Sequence, residues 1–387
     1  MAQDVKETYI AKSKDFLCDL ITPVMTQLDK AIEFGEPLLF IDLRGSSNDL
    51  FNHRVQFMQL FALTEALAES SEIEAVDLSY NFIDDAGAGS LASFLQRNKS
   101  LKYLNLSGNS IGPDGAAKLA EALRAEGGGG GGLQVLNLNG NPIKEAGALA
   151  LSEALKVNKT LQILELGSVE MEEKGLIGLS VALWENRTLE TINLENPLIH
   201  TRCQGDTAMH LGRMLGNNTC LREVLLGKHA MTDEQLQTLV DYGLARNGAL
   251  PLECLDLRCN RLSGFAAPAL KKLIAFTSTL QILNLSHNKL GDEGLLALGE
   301  ALPRNLSVRY LDVRHNGSGE LGLCAIAHAM QLRPSLSTVL VWGNHFGPAA
   351  CVAFLETLER GEQEIVTDVE PYIVDGVTQV ARVDVDE

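Results

Sequence analysis

The chain has 387 residues, about two and a half times a common single-domain length. Asp plus Glu number 50 against 32 Lys plus Arg, and the net charge of −18 argues against nucleic acid as the main ligand, because phosphate binding needs clustered cations. A hydrophobic content of 45% excludes a disordered chain, and 5% aromatics leave the core to Leu, Ala, Val and Ile.

The first residues, Met1-Ala-Gln-Asp-Val-Lys-Glu-Thr, are too polar for a signal peptide. No apolar run reaches the roughly 20 residues a membrane helix needs, so no membrane partner is expected. Seven cysteines without a CxxC pair read as free thiols in a reducing, cytoplasmic compartment. Phe16, Leu17, Leu20, Ile21, Val24, Met25, Leu28 and Ile32 recur at helical spacing. This predicts one or two helices over 10–34, with Thr22-Pro23 as a start or kink, and makes residues 1–37 a helical cap.

From Leu38 onward the string L-x-x-L-x-L-x-x-N repeats. Full copies run Leu101 to Asn109, Leu133 to Asn141, Leu252 to Asn260 and Leu280 to Asn288. Degenerate copies start at Leu38, Ile73, Leu161, Leu189, Leu221, Val308 and Leu336. These eleven units, mostly about 28 residues apart, occupy 38–361. In each, places one, four and six point inward from a short strand. Asn at place nine bonds backbone where the chain turns. A helix start follows at Asp84, Gly112, Thr232, Ser263, Gly291, Gly319 or Gly347. Several helices reach Asn98, Asn158, Asn186, Asn218 or Asn305, where a left-handed C-terminal residue is expected. Place nine is Ser46, Val169, Pro197 and His229 in four units, which predicts local irregularity there. Stacked strands lie ~4.8 Å apart and helices ~10 Å, so the α/β stack bends into a leucine-rich repeat solenoid, a horseshoe with a concave parallel sheet and convex helices. Residues 362–387 close the chain as a β-hairpin cap or acidic tail, with Asp375-Gly376 as the turn between β-branched runs.

Candidate chemistry dissolves when repeats are aligned. Gly108-Asn-Ser-Ile-Gly112 looks like a nucleophile elbow, but the equivalent Gly140-Asn-Pro-Ile-Lys144 and His287-Asn-Lys-Leu-Gly291 have no Ser. Gly317-Ser-Gly-Glu-Leu-Gly322 falls on the same repeat turn, not on a dinucleotide site. The six glycines 127–132 lack a following Lys-Ser/Thr and read as a flexible insertion. His200, Cys203, His210 and Cys220 have no usual zinc spacing, and Cys254 and Cys259 face different directions. No catalytic residue, metal, cofactor or small-molecule substrate is expected. Trp184 is expected in a helix core, the alternative being a second contact site on the convex face.

The remaining surface is the concave face. Places three, five, seven and eight of the later units carry Arg258, His287, Tyr310, Asp312, Arg314, His315 and Trp342, whereas the early units carry small polar residues. Trp, Tyr and Arg dominate interface hot spots, which points to a protein partner on the C-terminal half of this face. The competing reading has Trp342 shielding the last strand beneath the C-terminal hairpin.

The repeats resemble those of ribonuclease-inhibitor-type leucine-rich repeat proteins. The resemblance implies a non-enzymatic interaction scaffold or adaptor, cytoplasmic, or a structural component of the axoneme of a cilium. It also brings in a cytosolic ribonuclease-inhibitor-like inhibitor. A third implication is a GTPase-activating protein of the Ran type, since Asn109 lies in a turn resembling the one with that group's key Asn.

Overall fold

The computed structural model describes residues 2–51, 53–124, 132–200, 204–246, 250–332, 336–360 and 365–385. The chain divides into two compact units, Met1–His200 and Thr201–Glu387.

Unit 1 opens with α1 (Ala2–Asp15) and α2 (Thr22–Phe34). Six three-residue strands then alternate with helices: β1 (Phe40–Asp42), α3 (Phe57–Leu67), β2 (Ala75–Asp77), α4 (Asp85–Arg97), β3 (Tyr103–Asn105), α5 (Pro113–Arg124), β4 (Val135–Asn137), α6 (Lys144–Leu155), β5 (Ile163–Glu165), α7 (Glu173–Glu185) and β6 (Thr191–Asn193). The strands pair in parallel in chain order, with place four aligned as Ile41, Val76, Leu104, Leu136, Leu164 and Ile192. All six of those side chains are buried.

Unit 2 repeats the plan: α8 (Gln204–Asn217), β7 (Glu223–Leu225), α9 (Asp233–Leu239), β8 (Cys254–Asp256), α10 (Ala267–Phe276), β9 (Ile282–Asn284), α11 (Gly291–Ala301), β10 (Tyr310–Asp312), α12 (Glu320–Leu332), β11 (Thr338–Leu340), α13 (Pro348–Arg360) and β12 (Val366–Thr367). Its parallel register runs Val224, Leu255, Leu283, Leu311, Val339, Thr367. A separate antiparallel ribbon follows, β13 (Val369–Val374) with β14 (Val377–Arg382).

In both units places one, four and six are buried against the helices, apart from the half-buried Leu38, whereas place three lies open to half-buried on the other face and place seven does so except where it is the small Ser79, Gly167, Gly227 or Ser286. Ala, Gly and Leu dominate the helix sides that meet each other. A Cβ on Gly299 would lie 2.7 Å from the Ala325 carbonyl oxygen, so α11 and α12 pack there nearly backbone to backbone. The repeats are tied by a buried amide ladder. The Asn109 Nδ2 donates to the carbonyls of Leu78 (3.0 Å) and Leu106 (2.8 Å), and its Oδ1 accepts from Asn81 and Ile83, both at 2.9 Å. Asn141, Asn260, Asn288, Asn316 and Asn344 make the same inter-repeat bonds. Val169 and His229 take place nine buried, without that amide.

Three expectations are corrected. The first helix starts at Ala2, not near residue 10. It buries Val5 and Tyr9, whose hydroxyl accepts from the Ile21 N–H at 3.0 Å. Leu17 takes φ 51° and is 93% exposed, so the apolar run from Phe16 to Ile21 is a connection between helices. The helix-ending Asn residues are extended, not left-handed: Asn98 has φ −75°, ψ 137°. Its amide instead donates to Leu67 and Ser70 and accepts from Ser100 and Leu101, a second ladder joining consecutive helix ends. Finally, Val366–Thr367 belongs to the parallel sheet, and only the chain beyond it forms the ribbon.

Candidate partner-binding surface

The open sheet face is built by one local device repeated. The place-five Asp or Asn turns its side chain onto the N–H two residues on: Asp42 to Arg44, Asp77 to Ser79, Asn105 to Ser107, Asp256 to Arg258, Asn284 to Ser286, Asp312 to Arg314. This closes an Asx turn at the end of those strands, although β5, β7 and β11 are equally short with Glu165, Leu225 and Leu340 at place five. Place eight takes a left-handed backbone: Tyr80, Ser168, Asn196, Lys228, Cys259, His287 and His315 have φ between 52° and 59°. Glycine fills it at Gly108, Gly140 and Gly343.

In unit 2 these rules assemble the predicted residues. Arg314 grips Asp312 in a two-pronged ion pair, Nη2 to Oδ2 2.8 Å and Nε to Oδ1 3.1 Å. Asp312 is fully buried, which corrects its expected role: it holds Arg314 in place and presents nothing to a partner. Arg258 leans on Asp256 at 3.5 Å. Tyr310, Arg258, Arg314 and Trp342 are half-buried and His287 and His315 exposed. The two imidazoles stack with centroids 4.4 Å apart and planes 16° from parallel. His315 in turn covers Gly343, where a Cβ would fall 2.2 Å from its Nδ1. Together Arg258, Tyr310, Arg314, His315 and Trp342 line one side of a groove of about 790 Å³.

The other side is residues 382–385, which sequence reasoning did not assign to this surface. Asp368 fixes that wall. Its carboxylate is buried and accepts from the Val341 (2.8 Å) and Trp342 (3.2 Å) amides, replacing a strand carbonyl, while its own carbonyl accepts from Val383. The signal was available: Val366 lies one repeat length after Thr338, which puts Asp368 at place five.

The electrostatics are those of a satisfied surface. Burial, aided by Glu223 and Asp256, pushes the Cys254 thiol up to about 12. Burial, then the neighbouring His315, lowers the His287 pKa. The bond to Asp312 raises that of Arg314. Burial raises the Asp368 pKa against the pull of its two amide donors. Cys254 and Cys259 are both free thiols.

The other motifs resolve into repeat architecture. Asn109 is a buried ladder residue. The Asp292 Oδ1 already accepts from the Gly319 (2.7 Å) and Gly322 (2.9 Å) amides, so a carboxylate occupies the place at this turn where a phosphate would sit. Asp85 does the same for Gly112 and Gly115. Of the glycine run, 127–131 lie outside the described residues, as does Cys203; His210 lies in α8 and Cys220 beyond it. Trp184 is 40% exposed on α7, not in a core. Glu172, Glu173 and His200 bring ligand atoms within 4.8 Å of one another, but at the start of α7, where the helix dipole favours an anion over a cation. Among the described residues no helix is long and apolar enough to cross a membrane.

Matches to family models agree with this architecture. Family models described as leucine-rich repeats match residues 71–92, 97–120, 133–152 and 278–299, and a second such model matches 251–273. The chain is a leucine-rich repeat protein. Human leucine-rich repeat-containing protein 34 is 32% identical over 194 residues, 50% of this chain and 41% of that protein, so the chain spans less than half of this relative's length. A solved structure of leiomodin-1 actin-binding site 2 aligns with a TM-score of 0.31 and 19% identity, over 49% of this chain and 87% of that one. Proteins built from such repeats generally act through protein–protein interaction.

Proposed function

We propose that the protein is a non-enzymatic interaction scaffold that docks a protein partner on the open sheet face of unit 2, with Trp342, Tyr310 and Arg314 as anchors. The observation that carries this reading is the groove between that face and residues 382–385. It gathers an indole, a phenol and guanidinium groups, of which that of Arg314 is already held by its ion pair with Asp312. A guanidinium locked before binding loses little conformational entropy on docking. The buried carboxylates there, Asp312 and Asp368, are engaged with Arg314 and backbone amides, and burial holds the Cys254 thiol protonated.

Trp342→Ala tests the reading. The expected result is a loss of partner capture by about tenfold or more, with an unchanged melting midpoint. A lowered midpoint with capture retained would instead make Trp342 a shield for the last strand. Affinity purification with the intact chain, followed by mass spectrometry, identifies the partner. Recovery of axonemal components would place the scaffold in a cilium, and a ribonuclease would make it an inhibitor. Stimulated GTP hydrolysis by Ran, lost in a surface variant with the ladder intact, would overturn the non-enzymatic reading.

A further inference from the structure

The C-terminal ribbon has two unlike edges. Asp375 (φ 49°) and Gly376 (φ 79°) form a two-residue turn with both angles positive, the type I′ geometry that suits a twisted hairpin. The register pairs Val374 with Val377, Tyr372 with Gln379, and Glu370 with Ala381. Next to such a turn these are the pairs that exchange backbone bonds. The backbone groups of Pro371 and Ile373 on β13, and of Thr378, Val380 and Arg382 on β14, therefore point outward. Pro371 has no N–H to offer, so the β13 edge is blunted. The β14 edge has no proline, and among the described residues its only strand partner is β13. Beside it the ribbon tip leaves apolar side chains in water: Ile373 is 61% exposed and Val377 54%. An open edge with exposed β-branched residues is a template for another strand.

We propose that this edge joins two copies of the chain, β14 pairing antiparallel with its counterpart about Val380 to make one four-stranded sheet. The sequence of β14 suits that register. Val380 faces Val380 across the two-fold axis, Thr378 faces Arg382, and Val377 faces Val383, so no like charges meet. Parallel pairing would set Arg382 against Arg382. The joined sheet ends on both sides at a proline-blunted β13 edge, so the association closes at two copies and does not propagate into a fibre. The seam centres on Val380, outside the groove beside Trp342, and shares only Arg382 and Val383 with it, so the inference stands whether or not a partner docks there.

Sedimentation velocity on the full chain, over a dilution series reaching tens of micromolar, tests it. The expected result is a reversible dimer. Val380→Lys sets two ammonium groups opposite each other and weakens the dimer by about tenfold or more, with the melting midpoint unchanged. Val380→Glu does the same, and an equimolar mixture of the two variants restores a heterodimer. Should Val380→Lys itself unfold the ribbon, Thr378→Lys gives the same readout by facing the Arg382 of the other copy. A wild-type chain that stays monomeric, a dimer that survives these variants, or a Lys/Glu mixture that stays monomeric overturns the proposal. So does a monomeric chain that takes up an extended peptide on β14.

Discussion

At the residue scale, the same side-chain type does different work according to its place in the repeat. Aspartate at place five closes a turn, and where Arg stands two residues on, as in Asp42-Leu-Arg44, Asp256-Leu-Arg258 and Asp312-Val-Arg314, it also orients a guanidinium. Cys254 sits at place three among burial and two carboxylates, so its thiol is predicted to resist iodoacetamide at mildly alkaline pH and to react only on unfolding. Rapid native labelling of Cys254, read by mass spectrometry, would contradict this. Asp368 gives a pH prediction. Its folded-state pKa is raised above the ordinary 3.8, so the folded state holds its proton longer than the unfolded one. The stability tied to that proton is complete below 3.8 and is lost as the pH rises through the folded value. Asp368→Asn keeps an oxygen acceptor for Val341 and Trp342 without the charge. Its melting midpoint should therefore rise relative to the wild type between acid and neutral pH, and parallel midpoint curves would refute the assignment.

At the scale of elements, strands of three residues and helices of two to four turns hold together only because each is bonded to the next. The Asn109 amide spans two repeats with four hydrogen bonds and is buried. Asn109→Ala is predicted to cost roughly 3 kcal/mol, because it strips the buried N–H groups of Asn81 and Ile83 of their acceptor and takes one donor each from the Leu78 and Leu106 carbonyls, which keep the amides of Asn81 and Asn141. In a repeat stack contacts run mainly to neighbours, so the loss should be local. Hydrogen exchange should speed first in β2–β4 and α4–α5, leaving the ladder around Asn288 protected. Uniform loss of protection along the chain would show that the ladder is not the local tie described.

At the scale of the molecule, much was legible because the repeat is a covalent period imposed on the chain. Every strand from β1 to β11 begins two residues after a repeat start read from the Leu spacing, and the Asn at place nine forms the expected ladder. The turn at Asp375-Gly376 was equally legible, since few residues accept two consecutive positive φ angles. What was missed depended on partners remote in sequence. The helical spacing from Phe16 to Ile21 carried no sign that Leu17 would turn left-handed. The Asn at the helix ends looked like left-handed caps because their acceptors, the carbonyls of the preceding repeat, lie some thirty positions away.

The sequence by itself determined the repeat, its register, and which residues stand on the open face, because side-chain direction along a strand follows from parity alone. Only the tertiary structure decided that Asp312 is an internal clamp and that Asp368 closes the last strand. It also decided that residues 382–385 wall the groove beside Trp342. Those outcomes depend on where the final turns of chain come to rest against earlier repeats, and that is set by burial and hydrogen bonding between segments that no local pattern connects.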